Sequence, residues 1–133
     1  MTKGSIKQEI IFTAKPEIVY DLIMNEEKHA DFTQSEVSMS NEIGGTFSAY
    51  DGYINGKNSE LIPGKKIVQE WHFDEDEWDE DHFSICTFIF EPFQAGTKLI
   101  FTQTNIPEHK VEALETGWEE FYWEPMMDYL DEN

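Results

Sequence analysis

The sequence contains no arginine, and its nine lysines stand against 28 acidic residues, giving a net charge of −19. Without guanidinium groups it lacks the rigid fork that usually grips phosphate or carboxylate, and its charge repels polyanions over a screening length of roughly 8–10 Å. Nucleic acid is therefore not an expected partner. Anionic membrane surfaces and phosphate-rich cofactors are disfavoured too, because scattered lysines provide no basic patch. A single cysteine, Cys86, rules out an internal disulfide, and its apolar neighbours mark it as a packed, inert thiol. No window approaches the roughly 20 apolar residues of a membrane span, and the stretch from Met1 to Phe12 lacks the apolar core and cleavage site of a secretory signal. A cytoplasmic location is the expectation. The histidines, His29, His72, His82 and His109, are dispersed without zinc-ligand or HExxH spacing. They read as surface or edge residues, and no metal or cofactor is expected.

The chain does hold ample core material. Apolar residues make up 39% and aromatics 14% of 133 residues, enough for one folded domain spanning 1–133 without disulfides or metal. A strand-like run from Ser5 to Phe12 ends near Pro16, a residue suited to the first turn of a helix. Ile18, Val19, Leu22 and Ile23 then share one helical face, and a second short helix is predicted from Glu26 to Phe32. Turn signals at Gly44-Gly45, Asp51-Gly52, Pro63-Gly64 and Ala95-Gly96 divide the middle of the chain into strands near 36–39, 46–50, 53–61, 66–73, 83–92 and 97–106. An antiparallel meander is the economical arrangement. Alternation places Ile67, Trp71, Phe73, Cys86, Phe88, Phe90, Leu99 and Phe101 on one face. From about His109 to Leu130, the residues Val111, Leu114, Trp118, Phe121, Tyr122, Pro125, Met126 and Tyr129 form a broad helical stripe. Pro125 should kink this helix by removing one hydrogen bond and crowding the carbonyl of Phe121. The fold class is α+β: a curved antiparallel sheet, two short helices and a long C-terminal helix.

Several local patterns follow one another in a specific order. They are Phe12-Thr13-Ala14-Lys15-Pro16-Glu17-Ile18-Val19-Tyr20, Gly44-Gly45-Thr46-Phe47, Gly52-Tyr53-Ile54-Asn55-Gly56, Leu61 to Trp71, Gly96-Thr97-Lys98-Leu99, and Gly117-Trp118 with Tyr122, Pro125 and Tyr129-Leu130. Together they resemble the activator of heat-shock protein 90 ATPase homologue-like family, within the START-like (SRPBCC) superfamily. Phe32 stands where family members often carry tryptophan. The resemblance implies a helix-grip fold, in which the last helix closes an apolar space over the sheet, and a chaperone or stress-response setting. In the eukaryotic co-chaperone of the family this domain follows a separate N-terminal domain, which is not expected within these residues.

Candidate chemistry is sparse. The run Asp74-Glu75-Asp76-Glu77-Trp78-Asp79-Glu80-Asp81 lacks the glycine and spaced glutamate of an EF-hand loop and reads as a solvated hairpin tip able to steer a basic partner. Glu70 and His72 flank Trp71 and should face outward, so they form no acid/base pair in a cavity. Cys86 has no histidine predicted beside it. The aromatic set leaves two outcomes open, a ligand pocket or a filled core. Its members are Phe47, Trp71, Phe73, Phe88, Phe90, Phe101, Trp118, Phe121 and Tyr122 with Met126, and Gln103 and Tyr122 would be polar handles if they point inward. The first expectation is a noncatalytic protein that holds a small apolar or amphipathic ligand between sheet and helix. A chaperone-associated interaction domain with a basic partner, and a cyclase-like enzyme of the polyketide cyclase type, are the alternatives. Both monomer and homodimer are compatible with the sequence.

Overall fold

Alternating burial along the two longest paired strands shows how the sequence sets the sheet. Ser84, Cys86, Phe88 and Phe90 are buried on β6 (Ser84–Phe93), and Thr97, Leu99, Phe101 and Gln103 are buried on β7 (Gly96–Pro107). Their register sets Phe88 opposite Phe101 and Cys86 opposite Gln103, so both strands present the same face to the core. The computed structural model describes residues 3–74, 78, 79 and 82–132. Among the described residues the remaining strands are β1 (Lys3–Phe12), β2 (Ser38–Met39), β3 (Thr46–Ala49), β4 (Ile54–Ile62) and β5 (Lys66–Phe73). All seven form one antiparallel sheet in the order β1-β7-β6-β5-β4-β3-β2, the meander expected from the turn signals with β1 added beside β7. Gly56 lets β4 lie close to β5, since a Cβ there would collide with the carbonyl oxygen of Glu70.

Between β1 and β2 the chain forms α1 (Pro16–Met24) and α2 (Glu26–Thr33). Pro16 opens α1, and Asn25 separates the helices, its side chain accepting the Lys28 backbone N–H at 3.0 Å to cap α2. Val19, Leu22, Ile23 and Met24 are buried, whereas Ile18, expected on the same stripe, is exposed. The apolar face of α1 is thus narrower at its start than the spacing predicted.

The C-terminal helix begins after a 3-10 turn at Glu108–Lys110 and consists of α3 (Val111–Trp118), a π-helical segment (Glu119–Trp123) and α4 (Glu124–Glu132). Pro125 supplies no N–H, and the backbone N–H of Glu124 reaches back five residues to the carbonyl of Glu119. The wider turn shifts the inward stripe. Leu114, Trp118, Tyr122, Trp123 and Met126 are buried, while Phe121, expected to face in, is 54% exposed. Trp123 was missed because an uninterrupted 3.6-residue period turns it toward solvent. The carbonyl of Phe121, left without its usual donor four residues on, accepts the Tyr50 hydroxyl at 2.7 Å.

The helix closes on the concave side of the sheet through aromatic rings. Phe101 lies 4.5 Å from Trp118, 5.0 Å from Phe88 and 5.2 Å from Trp123 between centroids. Each such ring, fully withdrawn from water, contributes about 1.5–3 kcal/mol.

Candidate functional site: an apolar groove between sheet and helix

At one end the grip is incomplete. Trp71 and Phe73 on β5 stack at 5.5 Å, and Ile54 at the start of β4 and Tyr53 just before it continue the floor. Opposite them, α3 presents Leu114 and Trp118 but also Ala113 and Gly117, whose small side chains leave space beneath the helix. The resulting groove has a volume of about 420 Å³. Lys110 stands at one end, and Tyr50 and Phe121 stand at the other. It opens to solvent past Tyr53, which is 51% exposed, and Phe121. Among the described residues Lys110 is the one charged side chain lining it, so it suits an apolar body better than a polar one.

Of the side chains expected around a pocket, Trp71, Phe73, Trp118, Phe121 and Tyr122 line this groove. The others fill the core instead. Phe88 and Phe101 are occupied by each other and by Trp118. Phe90 meets Tyr20 of α1 edge to face at 5.6 Å, Phe47 is buried over the Gly56 approach, and Met126 is fully buried. Gln103 does point inward but is no free handle. Its Oε1 accepts the Trp118 indole N–H at 2.8 Å, and its Nε2 donates to Ser84 Oγ at 2.9 Å, which in turn donates to the Trp71 carbonyl at 3.1 Å. A buried amide needs such partners, and both its ends are used.

Tyr122 is likewise engaged. The Nδ1–H of His29 donates to the Ile23 carbonyl at 2.9 Å, which leaves Nε2 to accept the Tyr122 hydroxyl at 2.7 Å. Burial lowers His29 from its ordinary value to about 4, against a smaller opposing effect of the Ile23 carbonyl. Burial also raises Tyr122 well above its usual range. The expectation of surface histidines fails here, since His29 is 3% exposed and stacks on Phe32 at 5.2 Å, tying α2 to the final helix. It fails at His72 as well. Alternation turns His72 away from Trp71, but Trp78 and Phe83 cover it, and its Nε2 donates to the Asp79 carbonyl at 3.2 Å. Cys86 is buried, and burial pushes its thiol up despite a hydrogen bond with Ser84. A reactive thiolate is therefore disfavoured.

Tyr50, Tyr53, Ile54, Lys110, Ala113, Leu114 and Gly117 complete the groove. The sequence signal that could have found it was the pair of small residues, Ala113 and Gly117, one turn apart beside the aromatic stripe. Among the described residues no group of three or more His, Cys, Asp or Glu side chains could hold a metal ion. The acidic run 74–81, expected as a hairpin tip, falls partly outside the described residues; Trp78 within it is buried against Trp71 at 5.9 Å. No described helix is long and apolar enough to cross a membrane.

A seven-stranded antiparallel sheet gripping a C-terminal helix, with two short helices bridging its edges and a groove beneath the grip, defines a helix-grip domain of the START-like type. The chain belongs to the family described as "Activator of Hsp90 ATPase homolog 1-like protein", whose model matches residues 13–131. It is 38% identical over 118 residues to an activator of 90 kDa heat shock protein ATPase homolog from Dictyostelium discoideum, covering 88% of this chain and 30% of that protein. It is 31% identical over 113 residues to homolog 1 from Homo sapiens, covering 85% and 33%. The chain thus spans about a third of the length of the curated relatives it matches. A crystal structure of an HSP90 activator from Plasmodium falciparum superposes with a TM-score of 0.83, covering 98% of this chain and 97% of that one at 24% identity, a likeness in fold.

Proposed function

We propose that this domain is a noncatalytic interaction module that docks on a 90 kDa heat-shock chaperone. The observation that carries this reading is the 38% identity, across 88% of the chain, with a protein named as an activator of that chaperone's ATPase. The net charge of −19 and the absence of arginine add that the docking surface on the partner is basic. The reading is noncatalytic because the buried titratable groups nearest the groove, His29 and Tyr122, are bonded to each other, and the Cys86 thiol is held protonated. Titrating the purified domain into the chaperone should give binding that weakens as salt rises, with a change in ATPase rate if the domain alone is an activator. No binding at low salt would overturn the proposal.

The groove supports a second reading. A space of about 420 Å³ walled by Trp71, Phe73 and Leu114 fits a small apolar or amphipathic molecule. Native mass spectrometry of the purified protein should then show a copurified or added lipid-like molecule. The tryptophan fluorescence of Trp71 and Trp118 should respond to its binding, and an unchanged signal with every apolar probe would remove this reading.

A further inference from the structure

We propose that Tyr50 is a gate that sets the length of the molecule the groove accepts; the proposal rests on the small-ligand reading of the groove. Lys110 and Phe121, at the two ends, are separated by eleven positions along the final helix, or roughly 16 Å at 1.5 Å per residue. An elongated apolar tail matches this length, running along Trp71 and Leu114 toward Tyr50.

Beyond Tyr50 lies a second cleft of about 470 Å³ between α2 and the last helix, bordered by Phe32, Pro125 and Tyr129 as well as by carboxylates. Among the described residues Tyr50 and Phe121 are the two that line both spaces. Their rings meet edge to face at 5.7 Å, and the Tyr50 hydroxyl donates to the Phe121 carbonyl at 2.7 Å. Tyr122 completes the partition between groove and cleft, meeting Tyr50 at 6.0 Å and Phe32 at 5.7 Å. Held in place by His29, Tyr122 is the fixed part of that partition, and Tyr50 is the part held to Phe121 by one ring contact and one hydrogen bond, made to a carbonyl whose usual donor, four residues on, is missing at Pro125.

The backbone beneath this ring is strained. Tyr50 and Asp51 are consecutive non-glycine residues in the left-handed region, with φ of 49° and 58°. The turn is held by the Asp51 N–H donating to the Glu36 carbonyl at 3.2 Å and the Glu36 N–H donating to Asp51 Oδ1 at 2.8 Å. Relaxation of that turn swings Tyr50 away from Phe121 and joins the two spaces, so that a longer tail passes onto Phe32 and Tyr129. With the gate shut, a long tail has to fold back or remain in water, losing the gain of each further buried methylene.

The test compares decanoate and palmitate binding, read by tryptophan fluorescence, in the wild type and in Tyr50→Gly and Tyr50→Phe. Glycine keeps the left-handed turn without steric cost and removes the ring, so the fold is retained, which thermal unfolding checks. Tyr50→Gly should raise the affinity for palmitate relative to decanoate about tenfold, and Tyr50→Phe, which loses only the hydroxyl, should raise that ratio less. If decanoate binds but Tyr50→Gly shifts both chains equally, or neither, the gate is overturned and the groove reading stands. If neither decanoate nor palmitate binds any of the three proteins, the gate is overturned, and a neutral apolar probe such as an anilinonaphthalene dye then decides whether the groove reading survives it.

Discussion

The two ends of the sheet–helix interface are built from the same kinds of residue, yet one is filled and the other is open. At the filled end Phe88, Phe101, Trp118 and Trp123 interlock within 6.0 Å centroid distances, and the polar atoms of Gln103 and Ser84 are mutually bonded. At the open end Trp71 and Phe73 face Ala113 and Gly117 across about 420 Å³. Aromatic content therefore does not decide between core and pocket; what the opposing element offers decides it. The sharpest way to break the comparison is to truncate one ring of the packed cluster, Trp118 where the cluster borders the groove, and one ring at the groove's lip. Trp118→Ala should destabilise by about 3–5 kcal/mol, because it removes a ring at the centre of the cluster and strands the buried Gln103 Oε1 without its donor. Tyr53→Ala, at the exposed lip of the groove, should cost under about 1 kcal/mol. Equal losses in urea unfolding would mean that both ends are packed alike.

The histidine that ties α2 to the helix, through the groove-lining Tyr122, gives the interface a pH dependence of its own. His29 is neutral in both states above its ordinary value of 6.5, so its folded environment has no titration effect there. As pH falls from 6.5 toward about 4, the unfolded chain takes up a proton that the folded protein refuses, and stability is lost across that window. Below about 4 both states are protonated and the contribution becomes flat. The loss should reach roughly 2–3 kcal/mol near pH 4.5. In His29→Gln that part of the slope should disappear, while the part due to surface carboxylates remains. Unfolding curves at a series of pH values check this, and an unchanged slope in the variant would place the proton elsewhere.

The fold was legible because it rests on periodicities that survive in the structure. Alternation placed Phe88, Phe90, Leu99 and Phe101 inward, and turn signals separated the strands in their paired order. What failed were features decided by a neighbour that is distant in sequence. His29 is buried because Tyr122 offers it a hydroxyl, and His72 because Trp78 and Phe83 fold over the sheet's outer face. Phe121 turns outward and Trp123 inward because Pro125 provokes a π-helical turn rather than a simple kink, and one extra residue in that turn rotates everything beyond it. The candidate groove was less legible than the core for the same reason. Its defining residues, Ala113 and Gly117, carry little apolar weight, so a reading that seeks large side chains passes over the places where space is left.

Gly117 makes the point quantitative. It sits in α3 with an ordinary helical φ, and a Cβ added there meets only Phe121 Cδ2 at 3.9 Å, an ordinary van der Waals contact. Gly117→Ala should therefore stabilise the protein by about 0.5–1 kcal/mol, the usual gain from restricting the unfolded chain where a helix has room for a methyl group. Being a wall of the groove, the same methyl should also trim its volume and weaken a bound apolar molecule modestly. Stability and occupancy would then move in opposite directions from a single atom, an outcome that a filled, ligand-free interface does not produce. Thermal unfolding alongside probe binding reads both; a gain in stability with unchanged binding would show that the molecule does not sit against α3.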